Sequence, residues 1–180
     1  MSIIIPGAPG QLRRLIINKT DGAFRNAIAF SISRRIGGIA PYTAPAAFYL
    51  NGAPQGTRLL IEHVGIEFLN ARFGHKNFTF IRMKGGTREG HGSRWQTLTE
   101  HFNRKEIINV ADTMAVIDLE NLMRQYAAFL FCAVGDAFQG GIVKDDSSWS
   151  NGTNNRWFFV NWDMEDSFGK PLPNYFKTLG

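Results

Sequence analysis

The chain has 180 residues, of which 44% are hydrophobic and 19% are charged, a composition typical of one globular domain. Its 15 Phe and four Trp exclude an intrinsically disordered chain, and its single cysteine, Cys132, excludes an internal disulfide. A formal net charge of +5 favours acidic partners, but no run of Lys and Arg exceeds two residues, so nucleic acid is not predicted as a partner. No apolar run is long enough to span a bilayer, and residues 1–10 lack the basic start of a secretory signal. We predict a single domain over residues 1–180, of which 1–17 form a poorly defined N-terminal segment.

The first predicted helix begins near Gly22 and ends at Gly37 and Gly38. The polar residues before it are typical of a helix N-cap, and they are Asn18, Thr20 and Asp21. Apolar residues at helical spacing predict one buried face, which consists of Phe24, Ala27, Ile28, Ile32 and Ile36. Arg25 lies four residues after Asp21, so it either pairs with that carboxylate or faces a phosphate from the start of the helix.

The strongest helical pattern covers residues 119–134, with Asp118 as its predicted N-cap. Its apolar residues are expected to bury the last turns from most sides. They form one stripe of Leu119, Leu122, Met123, Tyr126, Leu130, Ala133 and Val134, which Phe129, Phe131 and Cys132 widen. A shorter helix is predicted over residues 93–102.

Two strands are predicted on either side of N-G-A-P-Q-G, in which Asn51 and Gly52 are typical of a β-hairpin turn. These strands cover residues 47–50 and 57–64, and further strands are predicted over residues 15–18, 78–83, 142–144 and 157–160. Glu62 lies late in the second hairpin strand. Its carboxylate is either solvated at a sheet edge or held for a purpose such as pairing with a Lys or Arg.

Residues 84–94 form the loop K-G-G-T-R-E-G-H-G-S-R, which combines glycines with basic side chains. Its backbone N–H groups could hold phosphates with Lys84 as a cation, but the spacing matches no recognised phosphate-binding motif. A surface loop is the alternative interpretation. The four histidines show no spacing typical of a zinc site.

The sequence N-W-D-M-E-D-S-F-G at residues 161–169 follows the apolar strand W-F-F-V. It places Asp163, Glu165 and Asp166 within four residues, just past the end of that strand. Carboxylates this close repel one another unless a cation or basic groups offset them, and carboxylate oxygens are the ligands that Mg²⁺ and Ca²⁺ take. We interpret this stretch either as a metal site or as an acidic, solvated turn.

A further carboxylate, Asp136, follows the long helix in the stretch G-D-A-F-Q-G-G. The glycines around it allow other groups to approach closely, and a carboxylate between two buried elements is a reasonable catalytic position. An ordinary Asp in a glycine-rich turn is the alternative.

Five segments, in order, resemble the spore coat protein H (CotH) kinase family, whose members are atypical kinases distantly related to protein kinases. The stretch W-D-M-E-D-S-F-G is similar to the family's W-D-x-D-x-x-F-G signature. The other segments are D-G-A-F-R-N at residues 21–26, F-Y-L-N-G-A-P-Q-G at 48–56 followed by Glu62, F-L-N-A-R-F-G at 68–74, and Asp136. The resemblance spans about residues 18–179, nearly the whole chain.

The resemblance implies an α+β, protein-kinase-like domain with a small antiparallel sheet and helices, lacking part of the N-terminal lobe and the C-terminal helices of relatives. It also implies Mg²⁺-dependent transfer of the γ-phosphoryl group of ATP to Ser or Thr of a protein substrate, in the spore coat or at the cell surface. The implied catalytic residue is Asp136; the implied metal ligands are Asp163, Gln139 and Glu165; the implied nucleotide contacts are Glu62, Lys84 and Arg25.

Two departures from the family pattern leave an alternative open. Residues 1–18 replace the basic, Ser/Gly-rich stretch that relatives carry, and the sequence stops at Gly180 where relatives typically continue through more helices. Gln139 is also an imperfect match, because it is the nearest amide after Asp136 where relatives often have Asn. A catalytically inactive binding module with the same fold is therefore the alternative to a kinase. A metal-dependent hydrolase is less well supported, because it usually needs more His or carboxylate ligands than are visible.

Overall fold

The computed structural model describes residues 2–4, 14–18, 22–82, 88–89, 109–134, 141–145 and 156–168. Within these residues the fold is α+β, as predicted, with two four-stranded antiparallel sheets and four helices. The elements in chain order are β1 (Ser2–Ile4), β2 (Arg14–Asn18), α1 (Ala23–Arg35), β3 (Thr43–Leu50), β4 (Ala53–Glu62), α2 (Ile66–Phe73), β5 (Phe78–Arg82), β6 (Arg88–Glu89), α3 (Val110–Val116), α4 (Leu119–Phe131), β7 (Gly141–Asp145) and β8 (Trp157–Val160). The helix predicted over 93–102 lies outside the described residues.

The first sheet has the strand order β1-β2-β4-β3. Asn51 and Gly52 form the turn between β3 and β4 with φ values of 50° and 80°, as expected for an Asn-Gly hairpin turn. Strand β3 begins at Thr43 rather than at residue 47, and β4 begins at Ala53 rather than at residue 57 and ends at Glu62 rather than at residue 64. The pairing of β3 with β4 has a register irregularity between Ala47 and Tyr49.

The second sheet has the strand order β6-β5-β7-β8. Strand β5 is buried on both faces, since Phe78, Thr79, Phe80 and Ile81 are all buried. Gly141 begins β7 where a Cβ atom would lie 2.1 Å from the Phe80 ring, so only glycine lets the strand cross that ring without displacing it. Strand β8 lies at one edge of this sheet, and its residues Trp157, Phe158 and Val160 are buried.

Helix α1 buries a different face from the predicted one. Phe24 and Ile28 are each 53% exposed, whereas the buried residues are Ala23, Asn26, Ala29, Phe30 and Ser33. The prediction was wrong because α1 carries apolar residues on every side, so their spacing does not identify the buried face. The buried face is the one whose polar residues form hydrogen bonds with other elements. Asn161 Nδ2, for example, donates to Ser33 Oγ at 2.7 Å. Gly22 is the N-cap residue and makes no side-chain capping bond, and the predicted capping residues Thr20 and Asp21 lie outside the described residues.

Helix α4 begins as predicted, since Asp118 Oδ1 accepts a hydrogen bond from the Asn121 amide at 2.9 Å. Its buried residues are Asn121, Gln125, Ala128 and Phe129, whereas Met123 and Phe131 are exposed. The predicted burial of the last turns is confirmed for Ala128, Phe129, Cys132, Ala133 and Val134 but not for Phe131, and the predicted apolar stripe is wrong at Met123. The buried side carries two amides because β8 offers them backbone groups: Asn121 Oδ1 accepts from Phe159 N at 2.7 Å, and Gln125 Nε2 donates to Phe159 O at 3.0 Å.

Candidate functional site

The acidic turn comprises residues 163–168 and follows the buried strand β8 directly. Two hydrogen bonds hold Asn161, which precedes the turn: its backbone amide donates to Ile39 O at 2.8 Å, and its side chain donates to Ser33. Asp163 then adopts φ of 53°, in the left-handed region. Asp tolerates this conformation better than most residues, but it persists only where neighbouring groups hold it.

Asn26 of α1 holds the residue that follows Asp163. Its Oδ1 atom accepts a hydrogen bond from the Met164 amide at 3.0 Å, and both residues are buried. Two segments that carried the family resemblance, residues 21–26 and 161–169, therefore meet in the structure, although 138 positions separate the bonded residues. Gly22 packs closely against the backbone of Glu165, since a Cβ atom on Gly22 would lie 2.7 Å from Glu165 O.

The far end of the turn rests on the end of α4. The Ser167 amide donates to Met164 O at 3.1 Å, and the Phe168 amide donates to Cys132 O at 2.7 Å. Phe168 has φ of 58°, so left-handed residues bracket the turn at both ends. Asp166 is exposed, and Glu165 Oε2 accepts from Asn18 Nδ2 at 3.4 Å. The turn is thus fixed by α1 on one side and by α4 on the other.

The carboxylates of this turn would suit a Mg²⁺ ion that is also bound by a nucleotide better than an ion held by protein ligands alone. Within the described residues, no group of three or more His, Cys, Asp and Glu could hold a metal ion. Mg²⁺ in phosphate-transfer sites usually takes one or two carboxylates and completes its shell with phosphate oxygens and water. Asp163 and Glu165 would supply two such carboxylates, and their role as metal ligands stays a prediction. The third predicted ligand, Gln139, lies outside the described residues.

Glu62 is buried and fully engaged by protein groups. It is 3% exposed, and the Arg72 guanidinium donates to both of its carboxylate oxygens, at 2.9 and 2.6 Å. The Tyr42 amide donates to Oε2 at 3.1 Å. The interpretation of Glu62 as a solvated edge residue was therefore wrong, and its pairing with an Arg is what the structure shows. Arg72 also donates to Ala40 O at 3.3 Å, so the pair links β4 and α2 to the segment after α1.

Of the remaining predicted site residues, the structure describes only Arg25. Arg25 lies on the first turn of α1, is partly exposed, and makes no ion pair with the residues that the structure describes. Asp136, Gln139 and Lys84 lie outside those residues, so their meeting with Asp163 stays a prediction. The contact of Phe168 with Cys132, four residues before Asp136, is consistent with it.

Cys132 lies directly behind the acidic turn. Burial raises the pKa of its thiol from 9.0 to about 11, so the group is neutral at physiological pH. A neutral buried thiol is not a nucleophile. Cys132 therefore contributes packing and a backbone carbonyl rather than chemistry.

Sequence reasoning missed Asn26 and Arg72 as residues of this region. Both lie inside segments quoted for the resemblance, D-G-A-F-R-N and F-L-N-A-R-F-G. The available signal was a polar residue on the inward side of a helix, but α2 was not predicted as a helix. Without that helix, nothing in the sequence directs Arg72 towards Glu62.

The structure is thus an α+β domain in which an acidic turn is fixed between two helices at the end of a buried strand. The family model described as CotH kinase protein matches residues 11–175, and the chain belongs to this family. No curated protein matches the chain. Among the described helices, none has the length and apolar character needed to cross a membrane. Family membership suggests a kinase-like role.

Proposed function

We propose that this protein is an atypical, Mg²⁺-dependent protein kinase that transfers the γ-phosphoryl group of ATP to Ser or Thr of a protein substrate. The observation that carries the proposal is the anchoring of Asp163, which follows a buried strand and is fixed by the hydrogen bond between Asn26 and Met164. Phosphoryl transfer depends mainly on positioning and on neutralising charge, and a rigidly held carboxylate serves both needs.

Each predicted residue has a defined part in this proposal. Asp163 and Glu165, with Gln139, hold the metal, and Arg25 and Lys84 contact the phosphates. The bound ion neutralises charge on the phosphate oxygens. Asp136 orients the acceptor hydroxyl and takes its proton, while the hydroxyl oxygen bonds to the γ-phosphorus, the bond to the β,γ-bridging oxygen breaks, and ADP leaves.

The same proposal gives Glu62 an indirect part. Because Arg72 and Tyr42 already satisfy its carboxylate, Glu62 supports the hairpin and α2 rather than the nucleotide. This observation favours the second candidate function, a non-catalytic binding module of the spore coat or cell surface. In that case the acidic turn is a structural feature of the fold.

Labelled ATP distinguishes the two functions. With Mg²⁺ present, a kinase labels itself or an added Ser-rich protein, and Asp163→Asn abolishes the label because the charge that holds the metal is lost. Asp112→Asn, which removes an exposed carboxylate from α3, is the matched control and keeps the label. Labelling that persists in Asp163→Asn contradicts the metal role. Absence of both labelling and nucleotide binding in the unchanged protein favours the binding module.

A further inference from the structure

Asn26 joins α1 to the acidic turn through one buried hydrogen bond. Its Oδ1 atom lies 3.0 Å from the Met164 amide nitrogen, and Asn26 is only 3% exposed while Met164 is fully buried. A buried donor that loses its acceptor carries a desolvation cost, so this bond strongly favours one position of the Met164 amide.

The Met164 amide belongs to the peptide group that directly follows Asp163. Its direction is set by the ψ angle of Asp163, so a bond that fixes the amide also fixes the backbone of Asp163. That backbone has φ of 53°, which is sparsely populated and needs support from its surroundings. Gly22 adds a second constraint, because the start of α1 lies so close to Glu165 O that a Cβ atom would reach within 2.7 Å of it.

We propose that Asn26 is a positioning residue that holds Asp163 in its left-handed conformation and thereby sets the direction of its carboxylate towards the Mg²⁺ of Mg·ATP. The inference rests on the proposed function and deepens it. Asn26 itself touches neither metal nor nucleotide. Groups that orient a metal ligand typically change metal affinity by about 10- to 100-fold when they are removed.

The test compares Asn26→Ala with Asn121→Ala in the full chain. Asn121 is a matched control, because it is also a buried Asn on a helix whose Oδ1 accepts from a backbone amide, that of Phe159 at 2.7 Å. Two quantities are measured: hydrogen exchange of the Met164 amide together with the Asp163 Cα chemical shift, and the Mg²⁺ concentration at half-maximal binding of a non-hydrolysable ATP analogue.

Asn26→Ala is expected to speed exchange of the Met164 amide, to move the Asp163 shift away from left-handed values, and to raise the Mg²⁺ midpoint about tenfold. Asn121→Ala is expected to destabilise the fold but to leave the midpoint unchanged. In an Asp163→Asn background, Asn26→Ala has no further effect on the midpoint, since the ligand through which it acts is absent.

Two results overturn the inference. One is an unchanged Met164 amide and Mg²⁺ midpoint in Asn26→Ala; the other is an equal rise of the midpoint in Asn121→Ala, which means that any loss of packing has the same effect. If the unchanged protein binds no Mg·ATP analogue, it is the proposed function that fails. The amide and shift measurements then still decide whether Asn26 holds Asp163, because they need no ligand.

Discussion

Among single residues, Glu62 carries a buried negative charge that three hydrogen bonds satisfy. Two come from the Arg72 guanidinium and one from the Tyr42 amide. A bidentate Arg–carboxylate pair is geometrically specific, and its two charges depend on each other because little water reaches them. The pair therefore matters to stability more than an exposed ion pair does.

We expect Glu62→Gln to lower the free energy of unfolding by about 3 kcal/mol, because it leaves the Arg72 charge without its buried partner. Urea denaturation followed by tryptophan fluorescence measures the change. The control is Glu67→Gln, which removes an exposed carboxylate paired with Lys76, and its cost should stay below about 1 kcal/mol. Equal stability of Glu62→Gln and the unchanged protein would contradict a structural role for the pair.

At the level of elements, helix α1 shows why burial cannot be deduced from apolar spacing alone. Phe24 and Phe30 are both aromatic and lie six residues apart, yet Phe24 is 53% exposed and Phe30 is fully buried. Phe30 packs with Leu59, Phe129 and Met164 in one cluster of the core. The helix is oriented by the partners available to Asn26 and Ser33 as well as by hydrophobicity.

Phe30→Ala should therefore cost about 3 to 5 kcal/mol of stability, since it removes a large buried ring and leaves a cavity. Phe24→Ala is the same substitution on the exposed side of the same helix and should cost less than about 1 kcal/mol. Urea midpoints of the two variants give the comparison. A larger loss in Phe24→Ala would restore the face predicted from the sequence.

Element positions were largely predictable, because they depend on local signals. The turn at Asn51 and Gly52, the cap at Asp118 and the apolar run of β8 each indicated a boundary or element that the structure contains. The buried faces of α1 and α4 were not predictable, because both helices present buried amides to backbone groups far along the chain. Asn121 and Gln125, for instance, bind Phe159, which lies 38 and 34 positions away.

The candidate site shows the same division. The motif around Asp163 could be recognised from the sequence because carboxylates and aromatics cluster there within a few residues. The role of Asn26 could not be predicted, since its partner is a backbone amide 138 positions away. A sequence does not indicate which backbone amide a side chain will bond. Glu62 was recognised as unusual for a strand, but its partner Arg72 lies on a helix that the apolar pattern did not reveal.

At the scale of the whole molecule, the reactivity of the Cys132 thiol indicates whether the core is closed. It is the single cysteine of the chain, is fully buried, and packs in the same cluster as Phe30 and Met164. Burial raises the pKa of its thiol to about 11. The folded-state pKa of the thiol exceeds its ordinary value of 9.0. Its contribution to the free energy of unfolding is therefore fully present below pH 9 and is lost as the pH rises towards 11.

We expect Cys132 to react with a thiol reagent at pH 8 only as fast as the core opens, and to react quickly once urea unfolds the chain. The native labelling rate should rise in Phe30→Ala, because that variant opens the shared core more often. Cys132→Ala, which removes the only thiol, gives the background rate. Immediate labelling of the folded protein would show that Cys132 is accessible and would contradict the raised pKa.

The contact between Asn26 and Met164 also has a consequence for biosynthesis. The 138 positions between them take on the order of ten seconds to translate, so Asn26 emerges from the ribosome well before its partner exists. During that interval the nascent polypeptide has no acidic turn with which α1 could assemble. Any activity that depends on the acidic turn therefore begins only after Met164 has been synthesised and has bonded to Asn26.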